Sequence, residues 1–372
     1  MWEITPDNAR EYLGQIGIPR EEIVAIQPLG WGVSNLVLRI VTTRGWYVLK
    51  QSRPQLRTKE LWRSDPARIF REAHAMQALA PCLPSGVVPR VLHVDRDHYC
   101  FLMEHAPPQA RVWKAELLSG QIQAQVATFA GQLLGQVHEQ TQHHPQFQQE
   151  FAERQVFWQL RTDPFYLRIM QRHPDIAPVV ETLVQRLDHC SEAICHGDFS
   201  PKNLLIWPER PDGLFTLVDY ETVCFGDPAM DVGFFLSHLL LKAIRLTWPR
   251  TSAWQLPVSN PSAGPDLATS PLPGTVWRQQ VFELTQRFWA SYRATAPRTC
   301  SPEHEHWSRL HCAACMLARV DGTSPVDYLP EEPLRQLVRC FTKSILLQPA
   351  PDWENVLHRL DDLLLQQTDS RW

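Results

Sequence analysis

The sequence predicts an α+β protein, with a small strand-rich N-terminal lobe (1–105) and a larger, mainly helical C-terminal lobe (106–372). Three observations predict it. Apolar strand-like runs separated by short turns follow one another from Ile23 to Met103, with one helical pattern among them. From about residue 112, long mixed polar and apolar segments with few breakers replace them. The chain is 372 residues long, 44% apolar and 20% charged, which supports a sizeable core and excludes wholesale disorder.

Taken in order, Ile23 to Leu29 is a short apolar run ending in Gly30-Trp31-Gly32, and Leu36 to Val41 is rich in large and β-branched residues. Thr43-Arg44-Gly45 supplies a tight turn before Trp46 to Lys50. Ser64-Asp65-Pro66 reads as a capped helix start with proline in the first turn. Ile69, Ala73, Met76 and Leu79 then share one face at helical spacing, and Glu72 lies on that same apolar face. Arg90 to Val94 and Tyr99 to Met103 flank an Asp-Arg-Asp turn, giving about five strands and one helix. Gln121 to Gln140 and Glu150 to Met170 read as long helices, with short strand signals at Leu204 to Trp207 and Leu214 to Val218. Trp248 to Thr275 is dense in Pro, Ser, Gly and Ala without a period and reads as a long exposed loop.

The formal charge of −4 argues against a general nucleic-acid binder. Proline, at 31 residues, is about 8% of the chain against a usual ~5%. No apolar signal region is visible at the N-terminus. The most apolar stretch, Val232 to Ile244, is broken by Ser237, His238 and Lys242 and falls short of the ~20 residues that cross a bilayer. Nine cysteines at odd spacings suit free thiols in a reducing compartment. A cytoplasmic protein with no membrane partner is expected.

Chemistry concentrates in Cys195-His196-Gly197-Asp198-Phe199-Ser200-Pro201-Lys202-Asn203, an Asp and an Asn five residues apart in a loop running into a strand. Sixteen residues beyond Asn203 stands Asp219-Tyr220-Glu221, at the end of an apolar strand. Phosphoryl transfer to a hydroxyl needs a carboxylate near the attacking oxygen and hard oxygen ligands for Mg²⁺. Asp198 can fill the first role, and Asn203 and Asp219 the second.

On these residues the sequence resembles the kinase-like phosphotransferases, the superfamily of aminoglycoside phosphotransferases, choline kinases and methylthioribose kinases. His196-Gly197-Asp198 with Asn203, and then Asp219, match the kinase spacing H-R-D-x-x-x-x-N and D-F-G. Gly197 in place of Arg is the small-molecule kinase form, and the Asp219-x-Glu221 pattern is similar to methylthioribose kinase. The resemblance implies a bilobal protein-kinase-like fold that binds ATP and Mg²⁺. It implies that Gly30, Gly32 and Asn35 form the loop over the phosphates, that Lys50 holds them, and that Glu72 is the ion-pair partner of Lys50. Glu104 and His105 lie in the segment Leu102 to Ala106 whose backbone would meet adenine. Asp198 would be the catalytic carboxylate, with Asn203, Asp219 and Glu221 as metal ligands. Asp231 would brace the catalytic loop, and His196 reads as a brace rather than a proton carrier.

The expected activity is a small-molecule kinase acting on a hydroxylated acceptor, a metabolite rather than an antibiotic. The alternative is a non-catalytic nucleotide-binding scaffold, against which every residue the chemistry needs is present. A protein kinase is disfavoured by Gly197 and Glu221, and by the seven positions from Asp219 to Gly226, which leave no activation segment of normal length. Cys312-x-x-Cys315 lacks a second pair and reads as two core thiols. His304, His306 and His311 read as a polar helix start, and Phe282, Phe288, Trp289 and Tyr292 as core. Asp227 reads as a helix cap.

Overall fold

The computed structural model describes residues 2–30, 35–53, 65–248 and 274–369. Gly32, Ser64 and nearly all of the Pro-rich segment 248–275 lie outside the described residues. The chain divides into two units, 1–110 with 215–223, and 111–214 with 224–372.

The first unit opens with a short helix, α1 (Ala9–Gln15). Strands β1 (Ile23–Pro28), β2 (Asn35–Thr42) and β3 (Trp46–Ser52) follow, then helix α2 (Arg68–Leu79) and strands β4 (Val91–Asp95) and β5 (Cys100–Glu104). The five strands form one antiparallel sheet in the order β1-β2-β3-β5-β4. Alternation along each strand sorts side chains between its two faces. Leu49 pairs across the sheet with Leu38 and Leu102, and these join Ile40, Tyr12, Leu13 and Ile4 in one core cluster under α1. The next residue, Lys50, is thereby carried on the opposite face. The N-cap of α2, Ala67, carries no side-chain capping bond, and the Asp65 carboxylate instead accepts the Ala67 N–H in the turn ahead of the helix. The sequence pattern foresees the five strands and α2 but not α1, which runs for only two turns.

In the second unit β6 (Arg111–Val112) leads into α3 (Trp113–Ser119), α4 (Ala124–Thr141) and α5 (Pro145–Glu150). The helix expected from Glu150 to Met170 starts later, as α6 (Gln155–Phe157). It passes through a π-helical stretch, Trp158–Leu167, that contains Pro164, and ends in α7 (Arg168–Arg172). After α8 (Ala177–His189), β7 (Ala193–Cys195) and β8 (Leu204–Ile206) frame the Asp198 loop. Strand β9 (Phe215–Leu217) belongs to the first unit, and β10 (Cys224–Gly226) pairs antiparallel with β7.

Helix α9 (Pro228–Thr247) is buried over nearly all its length, and Asp231, His238, Lys242 and Arg245 are buried along with its apolar residues. It packs between α10 (Gly274–Thr295) and α11 (Pro302–Asp321), with α12 (Glu332–Leu347) and α13 (Trp353–Asp369) completing the unit. Gly233 lets α9 approach α11 closely, since a Cβ there would sit 2.5 Å from the Ser308 carbonyl. No helix among the described residues is long and apolar enough to cross a membrane.

Phe288, Trp289 and Tyr292 are buried, as are Cys312 and Cys315, and all nine cysteines are free thiols. The histidines of α11 depart from the expected polar start: Ser301 caps the helix, but His304 and His311 are buried. His304 stacks on Tyr292, and burial drives its pKa down to about 3, so it packs as a neutral ring.

Candidate active site

In the first unit, Lys50 on β3 and Glu72 on α2 meet at 2.7 Å, and the same ammonium lies 2.8 Å from Asp219. Burial alone would push the Lys50 pKa down, but the carboxylates of Asp219, Glu72 and Glu221 outweigh it and hold the lysine above its ordinary range. Glu72 is raised to about 7 by burial, against the opposing pull of Lys50 and with the added repulsion of Asp219 and Glu221. An apolar helix face thus carries a carboxylate because a buried lysine faces it. The Tyr220 N–H also donates to Glu72.

Asp219 follows β9 with a left-handed backbone, φ 71°, a conformation that Asp tolerates better than most residues. Glu221 meets Arg68 at 3.2 Å and accepts from the Asn35 amide at 3.1 Å. Arg68 in turn donates to the Asn35 side-chain oxygen and to the Arg53 and Asp65 carbonyls. Carboxylate oxygens of Glu72, Asp219 and Glu221 lie within 4.8 Å of one another. Three acids at that separation repel unless cations are shared among them. Lys50 and Arg68 supply part of that charge, and the hard oxygen donors fit a magnesium ion as the remainder.

In the second unit the residues of the Asp198 loop are fixed from several directions. Gly197, φ 72°, occupies the left-handed region that glycine adopts without strain. The N–H groups of His196 and Gly197 both donate to the Asp231 carboxylate on α9, and the Asp198 N–H donates to His196 Nδ1. Asn203 donates its amide to the Asp198 carbonyl at 2.9 Å, which leaves Oδ1 as the acceptor end. Asp198 itself is held by two cations, Arg161 at 3.0 Å on one oxygen and Lys202 at 2.7 Å on the other. Asp227 caps α9 through the Ala229 N–H and also pairs with Arg186.

The segment expected to meet adenine, Leu102 to Ala106, is more committed than its sequence suggests. The N–H groups of Glu104 and His105 are spent on the Arg90 and Trp46 carbonyls, and the Glu104 side chain pairs with Arg90 at an exposed position. A base at this edge would have to be met by other groups of the segment. Gly30 ends the described part of its loop, and a Cβ there would meet nothing within 4 Å.

Residues 25–251, well over half of the chain, match the phosphotransferase enzyme family. The chain belongs to that family. A methylthioribose kinase of Cronobacter sakazakii is 27% identical over 267 residues, covering 64% of this chain and 65% of the relative. The methylthioribose kinase of Pectobacterium atrosepticum is 28% identical over 272 residues, with the same coverage. The match thus spans just under two thirds of the length of these curated relatives. Among solved structures, the choline kinase LicA of Streptococcus pneumoniae aligns with a TM-score of 0.48 at 15% identity, covering 91% of this chain and 98% of that one.

Two residues of the site are missed by sequence reasoning. Arg68 opens α2 and is buried, yet an arginine at a helix start reads as solvated. Arg161 sits in a stretch that reads as an ordinary mixed helix. The π-helical turn carries it onto the Gly197 carbonyl and the Asp198 carboxylate. Pro164 three residues on is the one local signal, since proline inside a helix frees carbonyls and disturbs the register.

Proposed function

We propose that this phosphotransferase is a kinase that moves the γ-phosphoryl group of ATP to a hydroxyl of a small metabolite. The observation that carries the reading is the buried Lys50 shared between Glu72 and Asp219, beside a third carboxylate, Glu221. A structural lysine needs one counter-ion; three acids against Lys50 and Arg68 leave negative charge for a metal, and the lysine itself suits phosphate. The names of the methylthioribose kinases that it resembles support the same activity.

In this reading Lys50 binds the non-transferred phosphates, and Glu72 fixes its rotamer. Asn203, Asp219 and Glu221 are the oxygen donors for Mg²⁺, with Arg68 and Asn35 orienting Glu221. Magnesium, when bound, supplies charge neutralisation on the phosphate oxygens. The transition state of phosphoryl transfer is loose, so positioning and charge matter more than covalent chemistry. The acceptor oxygen forms its bond to the γ-phosphorus as the bond to the β,γ-bridging oxygen breaks, and the hydroxyl proton passes to Asp198. Arg161 and Lys202 pair with the two oxygens of Asp198 and fix its direction, which favours an orienting carboxylate that takes the proton late.

The test is ADP release from Mg·ATP across sugars, methylthioribose, amino alcohols, hydroxy amino acids and aminoglycosides, with Asp198→Ala alongside. One class should be turned over, and Asp198→Ala should lose about 10²–10⁴ of kcat, the usual contribution of a positioned acid–base group. Clear Mg·ATP binding with turnover on no class would favour the non-catalytic scaffold, and absence of nucleotide binding would end the kinase reading.

A further inference from the structure

The second unit holds a buried cationic cluster with too little negative charge to balance it. Lys242 on α9 is 1% exposed. Its ammonium meets the His238 carbonyl one turn back at 2.9 Å and lies over the Tyr328 ring at 5.3 Å. The buried Tyr328 hydroxyl has no hydrogen-bond partner. Lys114 lies over the same ring at 5.4 Å, and Arg319 sits over Phe165 with its buried Nε unpartnered.

These groups act on one another. Burial drives the Lys242 pKa well down, Lys114 and Arg319 add to the effect, and Asp327, itself paired to Lys114, opposes it without reversing it. His238 is held neutral first by burial and then by Lys242, Arg319, Lys202 and Lys114. Asp198 and Asp327 are the carboxylates that act on Arg319, and both are already engaged: Asp198 by Arg161 and Lys202, Asp327 by Lys114. A buried ammonium given one carbonyl and one ring is poorly compensated, and a buried hydroxyl without a partner is costly as well. Both deficits vanish if an anion enters beside them. The half-exposed Lys202 and the partly exposed Lys114 give the cluster an accessible side, next to the carboxylate that would receive the acceptor.

We propose that Lys242, Arg319, Lys114 and the Tyr328 hydroxyl bind a carboxylate or phosphate carried by the acceptor, so that the substrate is an anionic hydroxylated metabolite. This rests on the kinase reading of the neighbouring Asp198 loop. Polycationic acceptors are repelled by the cluster, and a quaternary amine would need the Tyr328 ring without ammonium groups over it.

The experiment is isothermal titration of the full chain, without nucleotide, with glucose, glucosamine, gluconate and glucose 6-phosphate, four probes of similar size that differ in charge. Gluconate or glucose 6-phosphate should bind at least about tenfold more tightly than glucose, and glucosamine most weakly, as desolvated charge pairs demand. Which of the two anions is preferred separates a carboxylate from a phosphate. Lys242→Met should remove the anion preference, and Tyr328→Phe, a milder change, should weaken it by about threefold, the size of one hydrogen bond. Equal affinity for the four probes, no binding of either anion, or an unchanged preference in folded Lys242→Met and Tyr328→Phe would overturn the proposal. Mg·ATP binding and Asp198-dependent turnover on neutral or cationic acceptors would stand apart from that failure, so the kinase reading is judged separately.

Discussion

Two buried lysines, one in each unit, are treated in opposite ways. Lys50 is 6% exposed and Lys242 is 1% exposed. Around Lys50 stand Glu72, Asp219 and Glu221, and its charge is held firmly in place. Around Lys242 stand a carbonyl, a tyrosine ring and further cations, with Asp327 already paired to Lys114, and its charge is resisted. The first arrangement is complete in acids and lacks a cation; the second is rich in cations and lacks an anion. Burial of charge is expensive in either case, so each imbalance is best understood as the imprint of what the site is built to receive. On that view a metal-bound polyphosphate belongs beside Lys50 and an acceptor anion beside Lys242.

Replacing each lysine by methionine should separate the two environments most sharply. Lys50→Met strands Glu72 and Asp219 while Glu221 keeps Arg68, and breaking a buried pair of this kind costs about 3–5 kcal/mol. Its melting temperature should fall, more at pH 8 than at pH 6, because the stranded acids can take up protons at the lower pH. Lys242→Met removes an uncompensated charge and replaces it by an apolar chain of similar volume, a change worth about 1–4 kcal/mol in the stabilising direction. Its melting temperature should therefore rise by a few degrees. A fall of equal size in both variants would erase the distinction between the two lysines.

The smallest effect lies in pH. Glu72, raised to about 7 by burial and its acidic neighbours, must be ionised to hold Lys50. Protonation occurs on the acid side, so Mg·ATP affinity should weaken as pH falls through about 7. In Glu72→Gln that dependence should disappear, leaving the weaker affinity at every pH. Titrations of Mg·ATP from about pH 6 to about pH 8.5 would check it, and an undiminished slope in the variant would assign the dependence to another group.

The same contrast explains what could be read in advance. Strand alternation, the turn at Thr43-Arg44-Gly45 and the helical period of α2 are local, and each left its mark in the sequence. Glu72 was conspicuous because a carboxylate broke an apolar face. Asp198, Asn203 and Asp219 stood out through spacing and resemblance. Helix α1 was invisible because Ala9, Tyr12 and Leu13 span too short a window to show a period. Arg68, Arg161 and Arg319 went unmarked for another reason: a basic residue in a mixed helix reads as solvated until the fold shows which face is buried, and Lys242 showed only as a break in the most apolar stretch. The N–H groups of Glu104 and His105 could not be assigned either, since their partners Arg90 and Trp46 are set by strand register.

The most direct test is isothermal titration of Mg·ATP into the wild-type chain and Lys50→Met, with Lys343→Met as a control at an exposed lysine paired to Asp175. Wild type and Lys343→Met should bind with matching affinity, and both should lose binding when the magnesium is chelated. Lys50→Met should bind at least about a hundredfold more weakly, as loss of a buried charge contact of roughly 3 kcal/mol implies. Equal affinity in Lys50→Met, or binding indifferent to magnesium, would contradict a nucleotide site built around Lys50.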